Sequence, residues 1–484
     1  MDKSIKRTID DLDDTALAKL FTESTKEVLI CINIEESLIY RYDSVKTLYV
    51  PIKIKYLRHI ISETLNKLFK KQRRSNNSLM KNANKKELEK LEYYNDRINK
   101  IIPRVNNVAS SKHIAEALCP LIYDEDFSNK LDTNPDVVNF KNYIVDLQTG
   151  KFRKRTCDDY FTKALNYDYS PDADENIRKR IRKIILEICN SNRDEMKTFL
   201  SFFGYCLTGR TTIQKALWSI GFKASNGKST FIEAFDSMFH IYVQKLNSKT
   251  FNENFSNLHK QMSMLKFIRL AYIEELGLER LDIQILKDLI GGKNIGGNEV
   301  LYGTTETFKI FFKLVFTSNK NPNFGTDEGM KRRGYYYSHT NKFVTQIDYD
   351  KADDTTGLFI IDPTLSANFD TDEYKNTLFN ILLPYAMEYY VEKKIYNDTK
   401  LVEDWIELCT ENDKMKLFID QYCESQKDGV ITKDSFLELY QNHYNLKNIT
   451  WANLLNDVRR LGYIYDPQGK QNGHRGTIEG LVYK

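Results

Sequence analysis

The 484 residues are too many for one ordinary domain and suggest about three. A composition that is 41% hydrophobic and 29% charged suits globular domains with a hydrated surface, and no run of ~18 apolar residues marks a membrane span, so a soluble intracellular protein is expected. The net charge of +4 gives no whole-chain argument for a polyanionic partner, and seven scattered cysteines without a C-x-x-C pair argue for reduced thiols and against a zinc site.

Met1 to Asp14 is charged and lacks an apolar h-region, so no signal peptide is expected. To about Val105 the pattern reads as helix, hairpin, then long helix. Leu38–Asp43 and Thr47–Pro51 are β-rich runs around the turn signal Asp43-Ser44. Leu57, Ile60, Ile61, Leu65 and Leu68 recur at helical spacing, and Ser75-Asn76-Asn77-Ser78 predicts a loop before the next helix. Asn66 to Arg104 holds twelve Lys/Arg against four Asp/Glu, a bias that fits a solvated helix as well as a polyanion contact. Farther on, Asn142–Val145 predicts a strand, Asp146–Gly150 a turn, and Ile177–Cys189 an amphipathic helix with a basic face.

From about Gln214 to Phe343 strands and helices alternate, the signature of an α/β domain with a mainly parallel sheet. The strand Leu217–Ile220 runs into Gly221 and then Ser225-Asn226-Gly227-Lys228-Ser229-Thr230, followed by a helical run. That order suits a phosphate-binding loop. Bare N–H groups at a helix N-terminus favour anions, Lys228 would reach the β and γ phosphates of ATP, and the Ser229 hydroxyl would ligate Mg²⁺. The strict pattern places glycine six positions before Lys228, where Phe222 stands; Gly221 is one earlier. A lone G-K-S is also compatible with an ordinary glycine-initiated helix.

Phe267–Ile273 is a second buried-strand run, ending in Glu274-Glu275. One carboxylate at such a strand end can hold Mg²⁺ and the other can orient and deprotonate water; Glu274 is assigned to the metal and Glu275 to the water. If the strand continues, alternation points the two to opposite faces. Lys309–Phe316 predicts another strand, and Asn319 at its tip could set an amide beside a γ-phosphate. Arg332 and Arg333 follow, either of which could serve a neighbouring subunit's phosphates or be ordinary surface charge. From about Asp413, helical patterns (Met415–Cys423, Thr432–Tyr444, Trp451–Leu461) lead to a glycine-rich turn, Gly469–Gly476, and predict a winged-helix module.

In this order and spacing the pieces resemble the superfamily 3 helicases of the poxvirus-type primase–helicase family. Phe203–Gly209, Ser225–Thr230, Arg269–Leu276, Leu286–Gly292 with Leu301–Gly303, Thr317–Pro322, and Gly325–Gly329 with Arg332-Arg333 are similar to its successive motifs. Phe140–Gly150, Asp159–Thr162 and Tyr167–Tyr169 resemble the region before its ATPase core. Phe222, Ala224, Tyr143 and Lys293 depart from that pattern, and no fused primase domain is expected.

The resemblance implies an α/β P-loop NTPase core of AAA+ type, a mixed α+β N-terminal region and a C-terminal winged helix. The segments would be 1–105, helical with a hairpin; 106–200, helicase-associated; 201–345, the ATPase; 346–412, a helical connector; and 413–484, the winged helix. It implies an ATP- and Mg²⁺-dependent DNA helicase of a virus or mobile element, acting as a homohexameric ring, alone or beside a separate primase or polymerase. Lys287 and Lys293, near the hairpin, and Arg459, Arg460, Lys470, His474 and Arg475, in the C-terminal module, are the expected DNA contacts. A P-loop phosphotransferase, and a non-enzymatic initiator or uncoating factor, are the alternatives.

Overall fold

The computed structural model describes residues 3–172, 174–252, 258–276, 280–292, 295–300, 304–324, 328–396, 399–411, 413–446 and 449–484. Contacts divide these into two units, Met1–Asp146 with Lys151–Tyr169, and Leu147–Gly150 with Ser170–Lys484.

Unit one opens with α1 (Lys3–Asp11) and α2 (Asp14–Ser24), the latter capped by the Asp13 carboxylate. An antiparallel sheet follows in the order β1 (Leu29–Asn33), β2 (Leu38–Asp43), β3 (Leu48–Ile52). The predicted hairpin is β2–β3, turned by the Asp43 carboxylate accepting from the N–H groups of Val45 and Lys46. Helices α3 (Ile54–Met80), α4 (Lys85–Asn106) and α5 (Val108–Leu118) pack together around Leu57, Ile61, Leu65, Phe69, Ile98 and Ile101.

The predicted loop at 75–78 is instead helical, and the turn comes at residues 81–84. Asn76 is 1% exposed because its amide accepts from Gln72 at 2.8 Å and donates to Asn95 of α4 at 3.0 Å. Partners across the helix pair override the local preference of asparagine for turns. Asn84 then starts α4 with a capping box to Glu87. The unit ends with α6 (Phe127–Lys130) and a small sheet of β4 (Val137–Asn139), β5 (Ile144–Asp146) and β6 (Phe152–Arg153). The buried Arg155 guanidinium donates to Asn139 and to the Phe140 and Lys141 carbonyls, tying that sheet to its following loop.

In unit two, α7 (Glu175–Ile188) and α8 (Arg193–Cys206) precede β7 (Ala216–Ile220), α9 (Lys228–Phe239), β8 (Val243–Lys245), α10 (Leu258–Ser263), β9 (Leu270–Glu274) and α11 (Ile283–Ile290). A hairpin of β10 (Ile295–Val300) and β11 (Thr304–Phe308) leads to β12 (Lys313–Ser318), α12 (Glu328–Lys331) and β13 (Gly334–Ser338). Five of these strands form one sheet in the order β13-β7-β12-β9-β8, parallel at every pairing. Buried on both faces, β7, β9 and β12 read as continuous apolar runs, which is why the sequence shows them clearly, whereas the short edge strand β8 gives no such signal. β12 starts four residues later than expected: Lys309 to Phe312 approach the sheet outside the ladder.

Trp218 on β7 anchors one face, stacked at 4.0 Å on Phe316 and at 5.1 Å on Trp405. Buried rings of this size contribute on the order of 3 kcal/mol each. Gly334 opens β13 because a Cβ there would stand 2.2 Å from the Trp405 ring. The chain continues through β14 (Lys342–Val344), α13 (Gln346–Asp350), β15 (Leu358–Ile360), α14 (Leu365–Phe369), α15 (Asp372–Glu392) and α16 (Thr399–Glu411). Within the described residues no helix is long and apolar enough to cross a membrane.

The C-terminal part holds α17 (Lys414–Tyr422), β16 (Cys423–Thr432), α18 (Lys433–Tyr444), α19 (Trp451–Arg460), β17 (Ile464–Gln471) and β18 (His474–Tyr483). Its sheet is antiparallel in the order β16-β18-β17. β16 begins at Cys423, where the sequence predicts the end of a helix, and has no β signal of its own. Glu424 to Asp428 are polar and exposed, and the ladder with β18 slips register between Ser425 and Val430. The β17–β18 turn is Asn472-Gly473, both at positive φ (+50° and +85°), the chemistry a two-residue hairpin demands.

Candidate functional site

The C-terminal ends of β7, β9 and β12 meet the start of α9 around a cavity of about 600 Å³. Its lining includes Ser225, Asn226, Lys228, Ser229, Glu274, Glu275 and Asn319, so residues up to 94 positions apart in sequence share one crevice. Ligands bind at such strand ends in open α/β sheets.

The loop before α9 is shaped by two glycines. Gly227 is the N-cap at φ +82°, a conformation costly for other residues, and a Cβ there would meet Ile188 at 2.6 Å. Gly221 makes room for two side chains: a Cβ would stand 2.0 Å from the Asn226 amide nitrogen and 2.9 Å from Lys228 Nζ. Phe222 is 63% exposed and, like Ala224, has no positive φ, so neither position needs glycine. Asn226 is buried and donates to the Lys223 carbonyl at 2.8 Å, bracing the loop.

Lys228 is buried, and its ammonium donates to Asn319 Oδ1 at 3.0 Å and to the Gly221 carbonyl at 3.2 Å. Both acceptors are neutral, so burial dominates and lowers its pKa to about 8. Asn319, at the tip of β12, is thereby joined directly to the loop. Ser229 is exposed on the first turn of α9, while Thr230 is half-buried and faces a second hollow. Beneath the loop, the buried His339 donates from Nδ1 to the Ile188 carbonyl at 3.2 Å, and its Nε2 accepts from the Ser219 hydroxyl at 2.6 Å. Burial and then nearby Lys228 lower its pKa to about 3, so it is a neutral strut.

β9 ends at Glu274, and Glu275 turns off it at φ +57° with its N–H bonded to the Thr317 carbonyl at 2.9 Å. The strand does not continue, so alternation does not apply and both carboxylates line the same cavity. Glu274 is bound by Lys245 from the end of β8, and Lys245 in turn is held protonated by that contact. Lys245 and Glu233 of α9 also line the cavity and carry no motif in the sequence; the β8–β9 pairing brings Lys245 there.

The two arginines part company. Arg332 is exposed, whereas the Arg333 guanidinium donates to the Gly329 carbonyl of its own turn and its backbone carbonyl pairs with Ala216. Lys287 is half-buried on α11 next to the β10–β11 hairpin; Lys293 lies outside the described residues, as do 301–303 and 325–327. In the C-terminal part, Arg459, Lys470, His474 and Arg475 are exposed. Arg460 is engaged within the fold, 2.8 Å from Asp413 and 3.4 Å from Asp457, and His474 approaches Asp434 at 3.6 Å.

On the other side of the loop, Ile184, Ile188, Phe343, Ile361 and Pro363 line an apolar slot of about 240 Å³ that Gly227 and Thr230 border. No motif marks it, since its walls come from α7 and from segments beyond the sheet.

Residues 16–190 match the family model described as D5 N terminal like, and residues 220–333 match a family of unknown function (DUF5906). The mimivirus protein named "Putative helicase L207/L206", from Acanthamoeba polyphaga mimivirus, is 26% identical over 88% of this chain and 45% of its own length. Similarly named proteins are 121R of Invertebrate iridescent virus 3, 26% identical over 46% of this chain and 25% of its own, and V13 of Sputnik virophage, 21% identical over 55% and 35%. The chain thus spans less than half the length of these relatives. Among solved structures, the apo NrS-1 C-terminal region (305–718) is similar at a TM-score of 0.43 and 11% identity, covering 97% of this chain and 99% of that one. The N-terminal match and the helicase-named viral relatives together support a D5-like viral primase–helicase family for this chain.

Proposed function

We propose that the chain is a superfamily 3 DNA helicase that hydrolyses Mg-ATP between the subunits of a homohexameric ring and acts in viral DNA replication. The observation that carries this reading is Lys228, buried at a helix N-terminus, hydrogen-bonded to Asn319 and sharing a cavity with Ser229, Glu274 and Glu275. A buried ammonium with neutral partners gains most from an anion, which is the fit a triphosphate offers.

Lys228 and the loop N–H groups would bind the phosphates, Ser229 and Glu274 would hold the magnesium ion, and the apolar slot behind Gly227 would take the base. When bound, the ion screens charge between the phosphates. Glu275 takes the proton of the attacking water, and Asn319 positions it. Arg332, exposed at its turn, completes the site of the neighbouring subunit. The β10–β11 hairpin grips DNA in the pore, and the C-terminal module serves as a winged helix whose wing is the β17–β18 hairpin. In that module Arg459, Lys470 and Arg475 are the contacts with DNA, and Arg460 holds the helix in place.

ATPase turnover with and without single-stranded DNA tests this on three proteins. The parent should be stimulated by DNA. Lys228→Ala should neither bind ATP tightly nor hydrolyse it. Glu275→Gln should bind ATP and lose about 10²-fold or more in turnover. Turnover indifferent to DNA with a small-molecule phosphate acceptor required would make the chain a phosphotransferase. Replication supported by Lys228→Ala would make it a non-enzymatic factor.

A further inference from the structure

The helix pair α3–α4 in unit one extends past its own core. No apolar side chain between Lys70 and Tyr93 is buried; Leu79 is 56% exposed, and the buried seam resumes only at Phe69 on one helix and Tyr94 on the other. Eleven helical residues from Lys70 to Met80 therefore project about 16 Å beyond that seam at the usual rise per residue.

What joins the two helices there is polar. Asn76 donates to Asn95 at 3.0 Å, Asn95 donates to Asn77 at 2.7 Å, and Arg73 donates to Asn99 at 2.9 Å. Amide pairs fix register and direction but supply little net stability, so the projection contributes little to folding. From Lys70 to Lys90 the chain nevertheless carries eight cations against two carboxylates, among them Lys70, Lys71, Arg74, Lys81, Lys85 and Lys86. All six are exposed, and none takes part in an ion pair among the described residues, in contrast to Lys67, which pairs with Glu63. Lys67, Lys70, Lys71 and Arg74 stand three or four residues apart in overlapping pairs, on the face of α3 turned away from α4, and the C-cap residue Lys81, also in the αR region, continues that face one residue past the helix. Like charges held this close repel one another, and a polyanion relieves the repulsion.

We propose that this helical arm is a nucleic-acid contact of the N-terminal unit, its stripe of cations lying along a phosphate backbone. Lys70 to Lys81 spans about 16 Å, the reach of roughly five phosphates at their spacing along one strand. The contact reads charge and spacing and no base, so it tolerates any sequence. The inference rests on the reading that the chain works on nucleic acid.

The test is a full-length variant with Lys70, Lys71, Arg74 and Lys81 changed to glutamine, which preserves helix propensity and leaves the Asn76 and Asn95 amides in place. Fluorescence anisotropy with a labelled DNA strand is followed over a range of salt, without nucleotide. The expected result is an affinity about tenfold or more below the parent at low salt and a log–log salt slope shallower by about 3, with mixed-sequence DNAs affected alike. ATP turnover without DNA, measured on the same samples, should match the parent, since it reports the nucleotide site alone. Parental affinity and slope in the variant would overturn the proposal and leave the ATPase reading standing. Unchanged DNA binding with lost binding to phosphatidylserine vesicles would assign the arm to a membrane surface and also overturn it.

Discussion

Gly221→Ala tests the proposed nucleotide loop at its most constrained point. The added Cβ would lie 2.0 Å from Asn226 Nδ2, and ordinary contact begins near 3.4 Å, so the amide must retreat by roughly 1.4 Å. Asn226 is 4% exposed and has little room, so the retreat breaks its hydrogen bond to the Lys223 carbonyl. The same Cβ stands 2.9 Å from Lys228 Nζ and displaces the ammonium from the Gly221 carbonyl. One neutral and one charged hydrogen bond are lost, about 1 and about 2 kcal/mol. Since nucleotide is proposed to bind only the parental loop shape, regaining that shape on binding costs about the same, on the order of 100-fold in nucleotide affinity at about 1.4 kcal/mol for each factor of ten. Titration with a fluorescent ADP analogue measures it, and thermal melting checks that the fold survives. Phe222→Gly is the control. It restores glycine at the motif position, yet Phe222 is exposed without a positive φ, so affinity should stay within about threefold of the parent. Parental affinity in Gly221→Ala, or a large gain in Phe222→Gly, would refute this account of the loop.

Arg332→Ala should leave melting unchanged and lower ATP turnover by about 10³-fold, whereas Arg333→Ala should lower the melting temperature, because only Arg333 is bonded into its own turn. Mixing Arg332→Ala with Lys228→Ala should restore turnover above the sum of the two; a strictly additive mixture would exclude a site shared between subunits. Lys313→Met should flatten the dependence of stability on pH. Burial lowers the folded-state pKa of Lys313 to about 7 from 10.5, so between those values the unfolded chain binds more protons and stability rises with pH. Lys228, lowered to about 8, acts in the same direction, so the variant should keep a smaller rise above pH 8. Melting temperatures from pH 6 to 10 measure this, and an unchanged slope in the variant would refute it.

How much of the fold the sequence reveals depends on whether local and tertiary preferences agree. β7, β9 and β12 are apolar runs buried on both faces, and their unbroken apolar character marks them. α3 and β16 are the opposite case. Ser75 to Ser78 has turn chemistry, and the partner that anchors Asn76 against another helix is Asn95, nineteen residues farther along the chain. Glu424 to Asp428 is exposed and polar, and β16 owes its course to the ladder with β18, some fifty residues downstream. In both, the deciding partner is remote in sequence, where no local pattern can register it.

The site divides along the same line. Lys228, Ser229, Glu274 and Asn319 are legible because each stands at the end of an element the pattern reveals. Their relations are not. Whether two adjacent glutamates face one cavity or two depends on where β9 stops, and Glu275 stops it by entering a left-handed conformation that its residue type does not announce. Lys245 is close to Glu274 because β8 pairs parallel with β9, a matter of strand order. Gly221 looks displaced by one residue against a motif template, yet the structure gives it a steric reason: it is the position over which Asn226 and Lys228 fold back. A template counts positions along the chain, while the constraint acts through space, and the two coincide only when the loop has the template's shape. Here the loop holds exposed side chains at Phe222 and Ala224 and spends its glycines where its own side chains close over it. That is the physical sense in which an irregular motif can serve a regular site.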